Sequence, residues 1–526
     1  MKKLGLGIQE LSKLRKNNYV YVDKTEIIHR LITTGSYYFL SRPRRFGKSL
    51  LVNTIEEIFR GNKDLFKDTW IYDKWNFEER FPVIKISFSN LAYHSLPLED
   101  VISKELDLIA EVNSITFDKS EIYSEKFREL IQKLGEKNPV AILIDEYDKP
   151  IIDYITDIET AEINREVLKK FYSVVKDLDK HIKLLFITGV SKFSRVSFFS
   201  ELNNLTDITI KKQYADITGY SEKEIEDNYG EYLREIEDEF NLDRKGLMEL
   251  IKLWYNGYSW DGKTFVYNPY SVISFLNDRE FKNFWFKSGT ATFLVKQIRE
   301  KDLNIKDYDT FINVPETALD SYEINNIDIT VLLFQAGYLT IKEKIINPHN
   351  FSLSYNLGYP NLEIRQSLYL LLGAEFSDIQ SGLYSQKAQS LLNSLDSNNM
   401  EIFIDTLRSI FASIPNNLVS GKYESYYHTV IYLALMFIGT NIKVEQKTNN
   451  GIIDAVVETK DFVYIMEFKM SSASSAIKQI KEKKYYEPYL SDKREVFCMG
   501  IAFDKKDRNV DDFIIVGLDE LRLHCQ

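Results

Sequence analysis

Three short clusters of residues in this chain have types and spacings that could do chemistry. The first is Gly47-Lys48-Ser49, closing the stretch Arg42-Pro43-Arg44-Arg45-Phe46. Glycine lets a backbone approach a ligand closely, lysine carries a positive charge on a long stem, and serine offers a hydroxyl to Mg2+. The second is Asp145-Glu146, two acids at the end of the apolar run Val140-Ala141-Ile142-Leu143-Ile144. The third is Asp454 together with Glu467-Phe468-Lys469. The first two clusters suit phosphoryl transfer, in which cations hold phosphates and a carboxylate orients water. The third suits metal-assisted hydrolysis of a phosphodiester.

The elements that must position these groups can be read from apolar spacing. Tyr37 to Leu40 form a short apolar run expected to be a buried strand, and Leu50, Leu51, Ile55, Ile58 and Phe59 recur at helical spacing. Strand, loop and helix, with Gly-Lys-Ser at the helix start, is the setting of a P-loop. Free N–H groups and the dipole at the helix N-terminus would hold phosphate. Arg45, Phe46, Gly47, Lys48, Ser49 and Leu50 are therefore the expected phosphate-binding residues. Lys48 would reach the β- and γ-phosphates, and Ser49 would coordinate Mg2+. Arg42 stands where the pattern has its first glycine, so the anion-binding half is intact while the entry turn departs from the pattern. The bland alternative is a basic turn that contains Gly-Lys-Ser.

A run apolar at every position, such as Val140 to Ile144, predicts a central parallel strand covered on both faces. Acids at its C-terminal end would lie in the crevice where open α/β sheets bind ligands. Asp145 is expected to support Mg2+ and Glu146 to polarise the attacking water. Taken with the loop upstream, this constellation predicts a nucleoside triphosphate site.

A chain of 526 residues predicts two or three domains. Hydrophobic residues at 44% and charged ones at 28% describe a globular protein rather than a disordered one. A net charge of −11 argues against wholesale wrapping of nucleic acid but leaves room for a local basic groove. Two cysteines, Cys498 and Cys525, lack metal-type spacing and suit a reducing compartment. The basic N-terminus lacks a signal-peptide core, and the longest apolar-rich stretch, Val430 to Ile438, is too short to span a membrane. The expectation is a cytoplasmic protein with no membrane partner.

Along the chain, Asp23 and Glu26 fit a capping box opening a helix with Ile27, Ile28 and Leu31. Residues 81–88 and 182–188 read as further strands, alternating with helical patterns at about 97–136 and 160–178. That alternation predicts a parallel α/β sheet. Thr188 ends one of these strands, where a sensor of the γ-phosphate would stand, with a simple turn as the alternative. From about 220, charged amphipathic helices with a turn at Asn256-Gly257 suit a lid over the nucleotide. Residues 270–415 carry mostly helical patterns. The expected parts are a P-loop core at 1–215, a helical lid at 216–300, a mostly helical connection at 301–415 and a compact α/β unit at 416–526.

In that last unit, a helix at 424–439 precedes three strands, a helix at about 474–486 and a strand at 496–503. A two-residue Lys460-Asp461 loop would set Asp454 opposite Glu467, with Lys469 on the same face. An Asn449-Asn450 loop would bring Glu445 opposite Asp454, whereas an Asn450-Gly451 loop would bring Lys447 there. Like charges side by side on strands are unfavourable, and Mg2+ held by a few carboxylates is a natural remedy. Asp454 and Glu467 would then be metal ligands, and Lys469 would orient water or stabilise developing charge. An ordinary solvated face with Glu–Lys pairs is the alternative.

Asp454 with Glu467-Phe468-Lys469, set in helix, three strands, helix and strand, resembles the PD-(D/E)XK nuclease superfamily. The resemblance implies a restriction-endonuclease-like fold, with Glu424 as an additional helix acid and Gln479 and Tyr485 as supporting residues. YVDKT at 21–25, FLSRPRRFGKSLL at 39–51, LIDEYDKPI at 143–151 and ITGVSKFS at 187–194 resemble the AAA-ATPase-like family. Many of its members carry a PD-(D/E)XK domain at the C-terminus, and the family shares the arginine in place of the first glycine. The likeness covers roughly 5–275 and 420–526 and implies ATP as the nucleotide. Arg195 is a candidate arginine finger by position alone.

The sequence thus predicts an ATP-binding protein and ATPase coupled to a Mg2+-dependent nuclease, acting on nucleic acid with DNA ahead of RNA and with self-association open. Glu146, Asp454, Glu467 and Lys469 are the expected catalytic residues. The rival is a nucleotide-controlled switch whose C-terminal domain binds nucleic acid or a protein without cleaving. Retention of Lys469 favours chemistry, because pure binding has no need of it.

Overall fold

The structure is a computed structural model. It describes residues 1–118, 121–192, 204–285, 298, 307–320, 328–415, 423–438, 442–448, 450–504 and 506–523. The chain divides into two compact units, one made of Met1–Leu294 with Asn304–Ile364 and the other of Val295–Leu303 with Arg365–Gln526.

The first unit is built on β1 (Tyr37–Ser41), β2 (Val83–Ser87), β3 (Val140–Asp145), β4 (Ile182–Gly189) and β5 (Thr206–Asp207). All neighbours run parallel, in the order β2-β3-β4-β1-β5. β1 and β3 are buried at every residue, as their unbroken apolar runs require of strands covered by helices on both faces. The P-loop helix, Lys48–Phe59, packs Leu51, Val52, Ile55, Ile58 and Phe59 into that core. Burying each such side chain contributes roughly 2 kcal/mol. The chain leaves β1 and β3 at the same edge of the sheet, and that parallel arrangement brings Gly47 and Glu146 to one crevice.

One local expectation fails. Asp23 does not open a capping box: the helix Thr25–Thr34 begins one residue later, after Lys24, and has no side-chain cap. The Asp23 carboxylate instead accepts from Thr25 N–H and, across the fold, from Trp70 N–H at 2.7 Å. One oxygen serves the local backbone and the other ties the segment to Trp70.

The charged segments after 220 do form helices. Ser221 opens Glu222–Phe240 with a complete capping box, Asp243 caps Arg244–Tyr255, and Asn268 caps Pro269–Asp278 with Pro269 in its first turn. Their apolar faces share a core with Val20 and Val22 from the N-terminal segment.

Within the region read as mostly helical lies a sheet. β6 (Ile312–Pro315), β7 (Thr340–Ile346) and β8 (Leu353–Gly358) pair antiparallel in the order β6-β8-β7. Helices Glu316–Asp320 and Ile329–Ala336 separate β6 from β7. Ile329–Ala336 is apolar almost throughout, and its buried Gln335 accepts from Lys192 N–H at 3.0 Å. Mixed polarity, as in Thr-Ile-Lys-Glu-Lys-Ile-Ile, hides these strands in the sequence.

The second unit carries helices Ser381–Asp396, Met400–Phe411 and Tyr423–Ile438 and a sheet in the order β13-β12-β11-β10-β9. Its strands are β9 (Ile442–Thr448), β10 (Gly451–Glu458), β11 (Phe462–Lys469), β12 (Glu495–Asp504) and β13 (Asn509–Gly517). β9, β10 and β11 are antiparallel neighbours, whereas β11 and β12 are parallel and joined through the helix Ala473–Glu482. The final strand, β13, extends the sheet beyond the four-strand expectation. Among the described residues, no helix is long and apolar enough to cross a membrane.

Candidate active sites

Where β1 ends, the P-loop turns without its first glycine. Arg42 is fully buried, and its guanidinium donates to the carbonyls of Ser41, Thr209 and Tyr214 at 2.8–3.1 Å. It lies 3.9 Å from the centre of the Trp260 ring, a contact worth roughly 2 kcal/mol when desolvated. Burial lowers its pKa to about 9, with Asp207, Asp216 and Asp261 acting the other way. The left-handed backbone positions fall later, at Arg45 (φ 69°) and Gly47 (φ 86°). Arg42 therefore needs none of glycine's freedom, and it braces the loop from behind.

Phe46 is buried edge-on against Tyr258 and Trp260, and the Trp285 indole N–H donates to Arg44 O at 3.0 Å. Gly47 caps the helix, and a side chain there would point into open space. Lys48 is 5% exposed and donates to the carbonyls of Arg42 and Pro43 at 2.9 Å each. Burial lowers its pKa, while Glu146, Asp145 and Asp148 pull the other way.

A cavity of about 490 Å³ opens on this loop, a size that accommodates a nucleotide. Arg45, Phe46, Gly47, Lys48, Ser49 and Leu50 line it, facing Glu146, Lys149, Ser89 and Asn90. Elsewhere the wall mixes apolar and aromatic residues, among them Ile8, Val20, Val22, Ile28, Tyr270 and Ile273, with the polar Gln9, Lys24, Thr54 and Thr218. The Arg45 guanidinium sits 4.6 Å from the Tyr270 ring centre. Residues 269–273 overlap YNPYSV at 267–272, which shares the family likeness, and the fold shows that they and residues 5–9 form cavity wall.

Asp145 is buried and accepts a 2.6 Å hydrogen bond from the Thr188 hydroxyl. Thr188 is itself fully buried and is not part of the cavity wall; its hydroxyl is committed to Asp145. Glu146 adopts φ 53°, a left-handed conformation that costs a non-glycine residue roughly 1–2 kcal/mol and turns it onto the cavity. Asp148, overlooked in the sequence, accepts from the N–H groups of Val190 and Ser191 and fixes the loop after β4; burial pushes its pKa up to about 6. Arg195 lies outside the described residues.

Behind the P-loop, the Trp285 backbone N–H donates to the buried Glu363 at 2.7 Å, and the Ser271 hydroxyl donates at 2.8 Å. Burial raises the Glu363 pKa to about 7, although Trp285, Ser271 and Phe284 donate to it; the phenols of Tyr255 and Tyr258 are its titratable neighbours. With the folded value above the unfolded one, the protonated acid contributes stability in full below the unfolded pKa. That contribution is lost as pH rises through about 7. Wild type should therefore lose on the order of 3 kcal/mol relative to Glu363→Gln between about pH 4 and pH 8. Urea unfolding of both proteins across that range measures it, and parallel curves would refute the assignment.

In the second unit, Ala455 pairs with Met466 and Val456 with Ile465, the register that sets Asp454 opposite Glu467. On the other side, Ile453 pairs with Gln446 and Ala455 with Val444, so the Asn449-Asn450 alternative holds and Glu445 falls opposite Asp454. The side chains of Glu424, Glu445 and Lys447 lie outside the described residues. Asp454 accepts from Phe468 N–H at 2.8 Å. Glu467 is 1% exposed, and its Oε1 accepts from Lys469 Nζ at 3.1 Å and from Gln479 Nε2. Its Oε2 is buried with no partner. Burial, and then Asp454, raises the Glu467 pKa to about 7.

A buried carboxylate oxygen without a donor, beside a second carboxylate, fits a hard cation that keeps several waters. Among the described residues no three His, Cys, Asp or Glu side chains converge, and Asp454 and Glu467 are the two carboxylates described at this place. Tyr485 does not reach this group; it is buried in the core, its hydroxyl against Gly451.

Comparison with known proteins matches residues 5–199 to the predicted AAA-ATPase family and residues 422–513 to the PD-(D/E)XK nuclease superfamily. The chain is 36% identical over 530 residues to the "Uncharacterized protein in vnfD 5'region" of Azotobacter chroococcum mcd 1, covering 98% of this chain and 99% of that one. No solved structure matches. Domains of these two kinds generally use ATP and Mg2+, and a nuclease domain implies a nucleic-acid substrate. The P-loop and Glu146 lie inside the first matched region and the Asp454–Glu467–Lys469 strand pair inside the second, and the chain belongs to the predicted AAA-ATPase family and carries a PD-(D/E)XK nuclease superfamily domain.

Proposed function

We propose that the protein binds and hydrolyses ATP and that its nucleotide state governs phosphodiester cleavage by the C-terminal domain. The observation that carries this reading is that both units keep a complete charged set at the ends of buried strands. In the first unit Lys48 and Ser49 hold the β- and γ-phosphates, Asp145 supports the metal with Thr188 fixing its carboxylate, and Glu146 orients water. The apolar end of the cavity takes base and ribose.

In the second unit Asp454 and Glu467 hold Mg2+, with Gln479 orienting Glu467. Mg2+ supplies Lewis-acid polarisation of the phosphodiester and a water of lowered pKa. Lys469 steadies the attacking water and the charge that develops on phosphate. The substrate is nucleic acid, DNA ahead of RNA, and the protein works in the cytoplasm.

The test is cleavage of DNA and RNA in Mg2+ and in Mn2+, with and without ATP, for wild type, Asp454→Ala and Lys48→Ala. Cleavage should vanish in Asp454→Ala and lose its response to ATP in Lys48→Ala. Absence of cleavage on every substrate, with ATP still bound, would replace this reading by the non-cleaving switch.

A further inference from the structure

Lys149 lies where the chain leaves β3, at the start of the short helix Lys149–Ile152. The residues from Glu146 to Lys149 divide in direction. Tyr147 and Asp148 turn inward, the Tyr147 hydroxyl donating to Ser191 O and Asp148 holding the Val190 and Ser191 N–H groups. Glu146 and Lys149 turn to the cavity, opposite Lys48 and Ser49. The local turn thus puts a carboxylate and an ammonium side by side on the wall that faces the P-loop.

The Lys149 ammonium rests 2.7 Å from Asp153 Oδ2, with 29% of its side chain exposed. Asp153 does not depend on it. The Tyr93 hydroxyl donates to the same carboxylate oxygen at 2.7 Å, and His94 Nε2 lies 3.3 Å from it. Removing one partner of an isolated, half-buried pair would strand a charge, but here two other groups remain on the acid. Lys149 is free to leave at low cost. Of the loop's other cations, Arg44 also lines the cavity, on the wall opposite Lys149, and the rest are committed elsewhere. Lys48 is held by loop carbonyls, Arg45 lies over Tyr270, and Arg42 is buried behind the turn.

We propose that Lys149 is a catalytic residue of ATP hydrolysis, moving from Asp153 onto the γ-phosphate as charge spreads over the transferring phosphoryl group. The inference rests on the ATPase reading above. Water oxygen bonds to the γ-phosphorus, the bond to the β,γ-bridging oxygen breaks, and the water proton passes by way of Glu146 to the products. Lys149 makes no bond and moves no proton. It supplies in cis the positive charge that other phosphoryl-transfer enzymes take from an arginine finger.

The experiment uses the full chain with Mg2+ and ATP, reading phosphate release for kcat and calorimetry for ATP affinity. Lys149→Met, which keeps the apolar stem, should lower kcat by about 10²–10³-fold with affinity within about threefold of wild type. Lys149→Arg should recover at least about a tenth of the activity, and the loss of kcat at unchanged affinity in Lys149→Met is the readout that a merely structural salt bridge to Asp153 would not give. A Lys149→Met protein that binds and hydrolyses ATP at the wild-type rate overturns this inference and leaves the ATPase reading intact. The same holds if Arg44→Ala, a change on the opposite wall, causes the loss instead. A wild type that binds no ATP overturns the reading itself.

Discussion

Glu467→Gln should abolish nucleic-acid cleavage, by at least about 10³-fold, while making the metal-free protein harder to unfold. Both effects come from the same geometry. Glu467 is buried, one of its oxygens has no partner, and Asp454 lies across the strand pair. A carboxylate so placed costs stability unless a cation shares it, because desolvation and like charge both oppose ionisation. Glutamine keeps the shape and an oxygen for Lys469 and Gln479, and it carries no charge beside Asp454. The melting temperature without metal should rise by a few °C, and the upward shift that Mn2+ gives wild type should shrink or vanish. Cleavage and melting, measured on the same preparation, decide it. A variant that still cuts would remove Glu467 from the reaction. One that neither cuts nor gains stability would show that the buried carboxylate carries no cost.

Glu146→Gln should leave ATP binding within a few-fold of wild type and lower turnover by about 10²–10⁴-fold. Glu146 lines the cavity, but the groups expected to grip phosphate are on the opposite wall, so affinity does not depend on its charge. Its ability to align and deprotonate water does. The left-handed backbone at Glu146 fixes where the side chain points, and glutamine tolerates that conformation about as well as glutamate. Single-turnover phosphate release against equilibrium binding separates the two effects. Turnover at the wild-type rate would show that another group orients the water, whereas loss of binding would place Glu146 among the affinity determinants.

The readable parts of this chain were those in which local pattern and tertiary role agree. The Val140–Asp145 run is too short for a helix of ordinary length and buried at all six positions, as a central strand requires, and Glu146 follows it onto the crevice. The hairpins were equally constrained, since a one-residue slip would have turned Asp454 and Glu467 to opposite faces. Only the choice between two Asn-containing loops was beyond the sequence, and pairing along β9 resolves it. Arg42 was opaque for a different reason. Its partners, Thr209, Tyr214 and Trp260, are distant in the chain, so a residue that looked like a defect in the motif is the brace of the loop. Asp23 does not cap because the helix starts one residue later, and its two oxygens divide between Thr25 N–H and the distant Trp70 N–H. The Gly5–Gln9 and Pro269–Ile273 walls carry no chemistry of their own and become meaningful only once folding sets them around the P-loop.

Of the five tryptophans in the chain, two touch that loop: Trp260 under the Arg42 guanidinium and Trp285 through its indole N–H on the Arg44 carbonyl. Indole emission responds to a nearby charge and to the strength of its own hydrogen bond. Both rings are almost fully buried, which protects them from collisional quenching by solvent solutes. The molecule thus has an optical reporter built into the part that would grip phosphate, and occupancy of the cavity can be followed by intrinsic fluorescence without attaching a dye.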